Sequence, residues 1–211
     1  QNQYETARVY LDKAIALDDQ FLTAFKWRGI VQCELKEYEP ALEDFARAIE
    51  LDPRQPELYL RRARANTELG RLGPTMTDLR FALELDPKDH RAWLNLGNAY
   101  LKADEFERAC ESYDRAIEIK PDYDEAYGQL AEARVRQQKY DEALVALDRA
   151  LALAEYRPER WYLRRAQLHA LRHDAELARA DFAKARELDA ELREAWLGEA
   201  QALAELGRTD E

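Results

Sequence analysis

The sequence predicts an all-α protein, an α-solenoid of stacked helix pairs. Three observations carry that reading. Helix-ending prolines fall at Pro53, Pro87 and Pro121, each 34 residues after the last. Between them, aromatic and small residues return at fixed places. The 211-residue chain is 46% hydrophobic and 36% charged, with only 7 Gly and 7 Pro. That is a helix-rich composition without low-complexity segments. Proline serves as punctuation because it lacks an N–H and its ring clashes with the preceding turn.

Aligned on that period, the chain opens with a half repeat at 1–21 that matches only a second helix. Full repeats follow at 22–55, 56–89, 90–123, 124–158 and 159–192, the fourth carrying one extra residue in its closing loop. Residues 193–211 form a final half repeat or a capping helix. The fourth position of successive repeats is Phe25, Tyr59, Trp93, Tyr127, Tyr162 and Trp196. The eighth is Gly29, Ala63, Gly97, Ala131, Ala166 and Ala200, and the twenty-seventh is alanine from Ala14 to Ala185. Large side chains act as knobs, and the Gly and Ala positions let neighbouring backbones approach closely.

Repeat 90–123 is the best-formed hairpin, with Trp93, Gly97 and Tyr100 before its turn and Phe106, Ala109, Tyr113 and Ala116 after it. Repeat 56–89 departs at Gly73, Pro74 and Thr75. Proline is accepted in a first helical turn, so a helix is expected to start near Pro74. Repeat 159–192 has Ala190 in place of the closing proline, so its second helix is expected to run on without a sharp stop. Helices of about 12–15 residues are too short to be stable alone in water. Stacking must hold them, and truncating Trp93 to Ala is expected to cost about 3–5 kcal/mol.

This pattern of aromatic, small and proline positions resembles the tetratricopeptide repeat family over essentially the whole chain. The resemblance implies antiparallel helix pairs stacked into a right-handed superhelix, with the first helix of each pair lining a concave groove.

Function classes narrow by exclusion. A net charge of −11 argues against nucleic acid, which requires a basic surface. No apolar run approaches the roughly 18 residues of a membrane span. The expected compartment is cytoplasmic, with a removed signal or a periplasmic location left open. Cys33 and Cys110 stand far apart without a ligand pattern, so ordinary thiols are expected. His169 and His173 are four apart on one helix but lack an evident third ligand. No phosphate loop, nucleophile elbow or zinc-protease motif is present. The expectation is a non-enzyme without metal or cofactor.

A surface remains. Groove-facing places implied by the resemblance carry eight basic and seven acidic side chains, nearly balanced in a strongly acidic chain. Either these charges pair with one another, or they form a locally positive channel for an acidic or carboxylate-ended peptide. The candidate peptide-binding residues are Arg61, Arg64, Arg91, Leu94, Asn95, Asn98, Lys102, Gln129, Arg160 and Arg164, with Trp27 as an apolar anchor. Some relatives grip a chaperone's C-terminal carboxylate in a clamp. The matching places here hold Leu94, Asn98, Gln129, Arg160 and Arg164, and Leu94 stands where that clamp has lysine. The expected function is a protein-interaction scaffold. The alternatives are a regulatory or targeting arm of a larger enzyme, and self-association through the end helices.

Overall fold

The computed structural model describes residues 2–207. Gln1 and residues 208–211, the tips of the two end half repeats, lie outside them. Among the described residues there are twelve α-helices and no strand. The chain divides into two compact parts, one reaching Ser112 and the other beginning at Tyr113.

In the first part lie α1 (Asn2–Leu17), α2 (Leu22–Glu34), α3 (Tyr38–Leu51), α4 (Pro56–Glu68), α5 (Leu72–Leu85) and α6 (His90–Lys102). Helix α7 (Phe106–Ile119) spans the division. The second part continues with α8 (Asp124–Arg136), α9 (Tyr140–Leu153), α10 (Glu159–Leu171), α11 (Ala175–Leu188) and α12 (Arg193–Glu205).

Within the first part α1 to α6 pack in sequence order, and α2 also touches α4. Phe25, Ala48 and Leu58 form one core cluster, and Ala41, Phe45 and Ala65 another. A Cβ at Gly29 would sit 2.8 Å from the Phe45 ring, so a small residue there sets how closely α2 meets α3. In the second part, fully buried Trp161 anchors a cluster with Ala131, Ala143, Leu147, Ala150 and Leu168. Gly128 makes room for it, since a Cβ there would lie 2.1 Å from the indole. Phe182 organises the next cluster with Ala166, Ala178 and Ala202.

The turns between first and second helices share one geometry. Lys36, Gly70, Asp104, Gln138, His173 and Gly207 all have positive φ, between 58 and 72°. The backbone bonds Glu37 N to Gln32 O (2.8 Å) and Lys139 N to Arg134 O (2.9 Å) close these turns, the six-to-one link of a Schellman cap. Only two of the six places hold Gly, and a side chain in the left-handed region costs about 1–2 kcal/mol. Gln138→Gly is therefore expected to raise stability by up to about 1 kcal/mol, after the extra chain entropy of Gly is subtracted. Urea unfolding at constant m-value would measure it.

Of two sequence expectations, the helix start near Pro74 holds and the run-on of α11 needs correction. Helix α5 begins at Leu72, two residues before Pro74. Pro74 sits in the first turn, where its missing N–H is no loss, and Thr75 N already bonds Arg71 O at 3.1 Å. Thr75 is buried in place of the usual alanine because its hydroxyl donates to Arg71 O at 2.9 Å. Helix α11 does not run on: it stops at Leu188, with Asp189 extended at φ −138° and ψ 98°. The stop comes from aspartate. Asp189 Oδ1 accepts from Glu191 N at 3.0 Å, as Asp18, Asp52 and Asp86 accept from Gln20, Arg54 and Lys88. Such Asx turns divert the backbone with or without proline.

The fourth-position aromatics also differ from plain core knobs. Phe25 and Tyr59 are buried, Trp93 is half-buried, and Trp196 is 50% exposed. Their polar ends reach the turn six residues back: Tyr59 to Pro53 O, Trp93 to Pro87 O and Trp196 to Ala190 O, at 2.9–3.1 Å. They staple turns to first helices, and the large truncation cost moves from Trp93 to Trp161.

Candidate functional site

The first helices of the N-terminal part carry one group of the candidate residues. On α2, Trp27 is 51% exposed. Beside it Lys26 Nζ lies 3.2 Å from Glu57 Oε2, and Arg61 Nη2 lies 3.2 Å from Glu57 Oε1. One carboxylate thus serves two cations. Partial burial pushes the Glu57 carboxyl up, but the bonds from Lys26 and Arg61 outweigh it and hold the pKa below the ordinary glutamate range. The sign follows: a depressed folded pKa stabilises at neutral pH, and that contribution is lost as pH falls through and below about 4.3. A carboxyl titration followed by NMR is expected to place Glu57 below an unstructured glutamate.

Arg64 on α4 and Arg91, Asn95 and Lys102 on α6 are exposed. Asn98 is half-buried. Leu94 is the exception: at 7% exposure it is a packing residue with almost no surface for a partner. The thiol of Cys33, half-buried on α2, is pushed up by that burial.

In the second part Gln129, Arg160 and Arg164 come together on α8 and α10. Arg160 binds Asp124 at 2.9 Å and Glu125 at 2.6 Å. Gln129 Nε2 donates to Glu125 at 2.9 Å, and Arg164 reaches Gly128 O at 3.4 Å and Glu132 at 3.5 Å. Arg160 also lies 4.1 Å over the Trp161 ring, whose indole N–H donates to Asp124 at 3.1 Å. Three carboxylates therefore face two guanidiniums. The chain's own acids sit where a ligand carboxylate would bind, so charge pairing describes this part.

His169 Nδ1 and Nε2 lie 3.8 Å from Asp174 and 4.0 Å from Asp181. Among the described residues no group of three or more His, Cys, Asp and Glu side chains is placed to hold a metal ion. No helix among them is long and apolar enough to cross a membrane.

Residues 1–56 and 90–123 match two family models, each described as tetratricopeptide repeat. Over those two stretches the chain is built of tetratricopeptide repeats. No curated protein is similar enough in sequence to count as a relative. Solved structures share the fold at low identity. MamA from Desulfovibrio magneticus RS-1 is 18% identical over 81% of this chain and 96% of its own, with a TM-score of 0.75. YrrB, described as a TPR protein with an unusual peptide-binding site, is 18% identical over 88% of this chain and 95% of its own, at 0.70. A thermophilic TPR protein of Thermus thermophilus is 23% identical over 87% of this chain and 99% of its own, at 0.66.

Sequence reasoning overlooked one feature of these repeats. Arg28, Arg62 and Arg165 each grip an aspartate sixteen residues on, Asp44, Asp78 and Asp181, through paired bonds of 2.6–3.0 Å. All three aspartates are buried. Each arginine also lies 5.7–5.9 Å over the aromatic three residues before it. The remaining two full repeats hold Leu96 with Ser112 and Leu130 with Ala146 at the same places. The signal was available: arginine and aspartate recur together, or are absent together.

Proposed function

We propose that the chain is a non-catalytic protein-interaction module. Its first-helix face in the N-terminal part holds an acidic partner segment with an apolar side chain against Trp27. The observation that carries this is Trp27 itself. A half-exposed indole next in sequence to Lys26, which shares the Glu57 carboxylate with Arg61, brings together the two residue types that most often dominate interface energies, Trp and Arg. Glu57, with Glu34 and Glu68 near Arg61 and Arg64, offsets that charge, and Arg91 and Lys102, exposed on α6, bring the basic excess. In a chain of net charge −11, a local basic face favours an acidic ligand and steers its approach. The peptide-binding site described for YrrB supports a peptide as the kind of partner this fold accepts.

A random dodecapeptide display library supplies the probe. Selected peptides are expected to combine Asp or Glu with one large apolar residue, and to bind more weakly as salt rises. Trp27→Ala is expected to weaken the best of them by about 2 kcal/mol or more, a hot-spot loss. Basic peptides, or acidic ones indifferent to Trp27→Ala, would reject this placement.

A further inference from the structure

Repeat 56–89 departs from its neighbours at Gly73, and the first-helix face makes no use of that departure. The same place in the other second helices holds Glu5, Glu39, Glu107, Asp141 and Glu176. At Gly73 an added Cβ would meet nothing within 4 Å. An acidic side chain is thus missing from the mouth of a cavity of about 660 Å³ bounded by α4 to α6 and the start of α7. That volume is typical of a small-ligand site.

The walls suit one chemistry. Pro74, Met76 and the Tyr100 ring give apolar surface, and Arg62, Arg80 and Arg108 supply three guanidiniums. The two carboxylates present are already engaged, Asp78 by Arg62 at 2.6 and 3.0 Å and Glu105 by Arg108 at 2.6 Å. Arg62 uses Nε and Nη2 on Asp78, leaving Nη1. Arg80 is exposed, and no hydrogen bond or ion pair holds it among the described residues. We propose that this cavity is a second binding site, for a carboxylate carried on a short apolar stem. Arg80 and the remaining Nη1 of Arg62 hold the carboxylate, as charge-assisted donors do, and Met76, Pro74 and Tyr100 cover the stem. Gly73 is the residue that opens the site, because the acid usual there would repel the ligand.

The site is separate from the Trp27 face, so the two readings fail independently. The test is an NMR titration of isotope-labelled protein with hexanoate and with hexanamide. Hexanoate is expected to shift the Gly73, Met76 and Tyr100 amides saturably, and hexanamide to bind about tenfold more weakly. Gly73→Glu, which restores the usual acid at an open helical surface, is expected to abolish the hexanoate response. Arg80→Gln is expected to weaken it, while Gly73→Ala and Trp27→Ala leave it intact. Unchanged thermal melting of each variant shows that folding is not the cause. If a capped Leu-Glu-Leu peptide competes with hexanoate, the carboxylate comes from a protein side chain; if it does not, from a small acid. Equal binding of the amide, no binding of hexanoate, or binding that survives both Gly73→Glu and Arg80→Gln overturns the proposal.

Discussion

Truncating Trp161 to alanine is expected to destabilise the chain by about 3–5 kcal/mol, the range for deleting a buried large aromatic. Trp161 is 0% exposed. Its loss empties the centre of the α8–α10 cluster and leaves Asp124 without the indole donor at 3.1 Å. The matching substitution is Gly128→Ala. Its methyl would fall 2.1 Å from the indole, and because Trp161 is held by Asp124 and roofed by Arg160 the ring cannot simply swing away. Overpacking of this kind costs about 1–3 kcal/mol. Combining the two is expected to cost less than their sum, since alanine at 161 removes what the new methyl strikes. Urea denaturation of the four species measures this cycle, and strict additivity would show that the two side chains do not meet.

Asp78→Ala is expected to be as severe, at about 3–5 kcal/mol, because it leaves the Arg62 guanidinium charged and partly buried without its partner. Asp78 is 3% exposed and accepts both bonds from Arg62. The double change Arg62→Leu with Asp78→Ser has a different prospect. It copies the Leu96 and Ser112 pair of the following repeat and removes both charges from a place the fold already fills without them. Replacing a buried ion pair by packed neutral residues is often neutral or stabilising by about 1–4 kcal/mol. The double variant is therefore expected to melt near or above the parent. A double variant as unstable as Asp78→Ala would mean that the pair stabilises the repeat beyond its packing.

The stack was legible because its rules are local and repeated. A knob such as Phe25, a small partner such as Gly29 and an invariant Ala48 return with each period, so five imperfect copies correct one another. Individual exceptions were harder to see. The sequence offers Pro53 and Pro87 as helix stops, yet α11 ends without one because Asp189 accepts from Glu191 N. The family resemblance also implied a groove-facing side for Arg160 and Arg164. It could not say that Asp124, Glu125 and Glu132 already bind them, since that depends on side-chain reach between neighbouring first helices. Trp161 was missed for a related reason. It stands outside the shared pattern, and only Gly128 beneath it explains how the fold admits so large a side chain.

The candidate surface moved accordingly. Gln129, Arg160 and Arg164 are engaged within the chain, while Trp27, Arg64, Arg91 and Lys102 keep exposed surface. The most direct measurement compares the affinity of one selected acidic peptide for three proteins: the parent, Arg61→Glu with Arg64→Glu, and Arg160→Glu with Arg164→Glu. The first charge reversal is expected to abolish binding and its salt dependence, and the second to leave both within about twofold. Loss of binding in the Arg160 and Arg164 variant, with the Arg61 and Arg64 variant unaffected, would contradict the assignment of the partner to the N-terminal first-helix face.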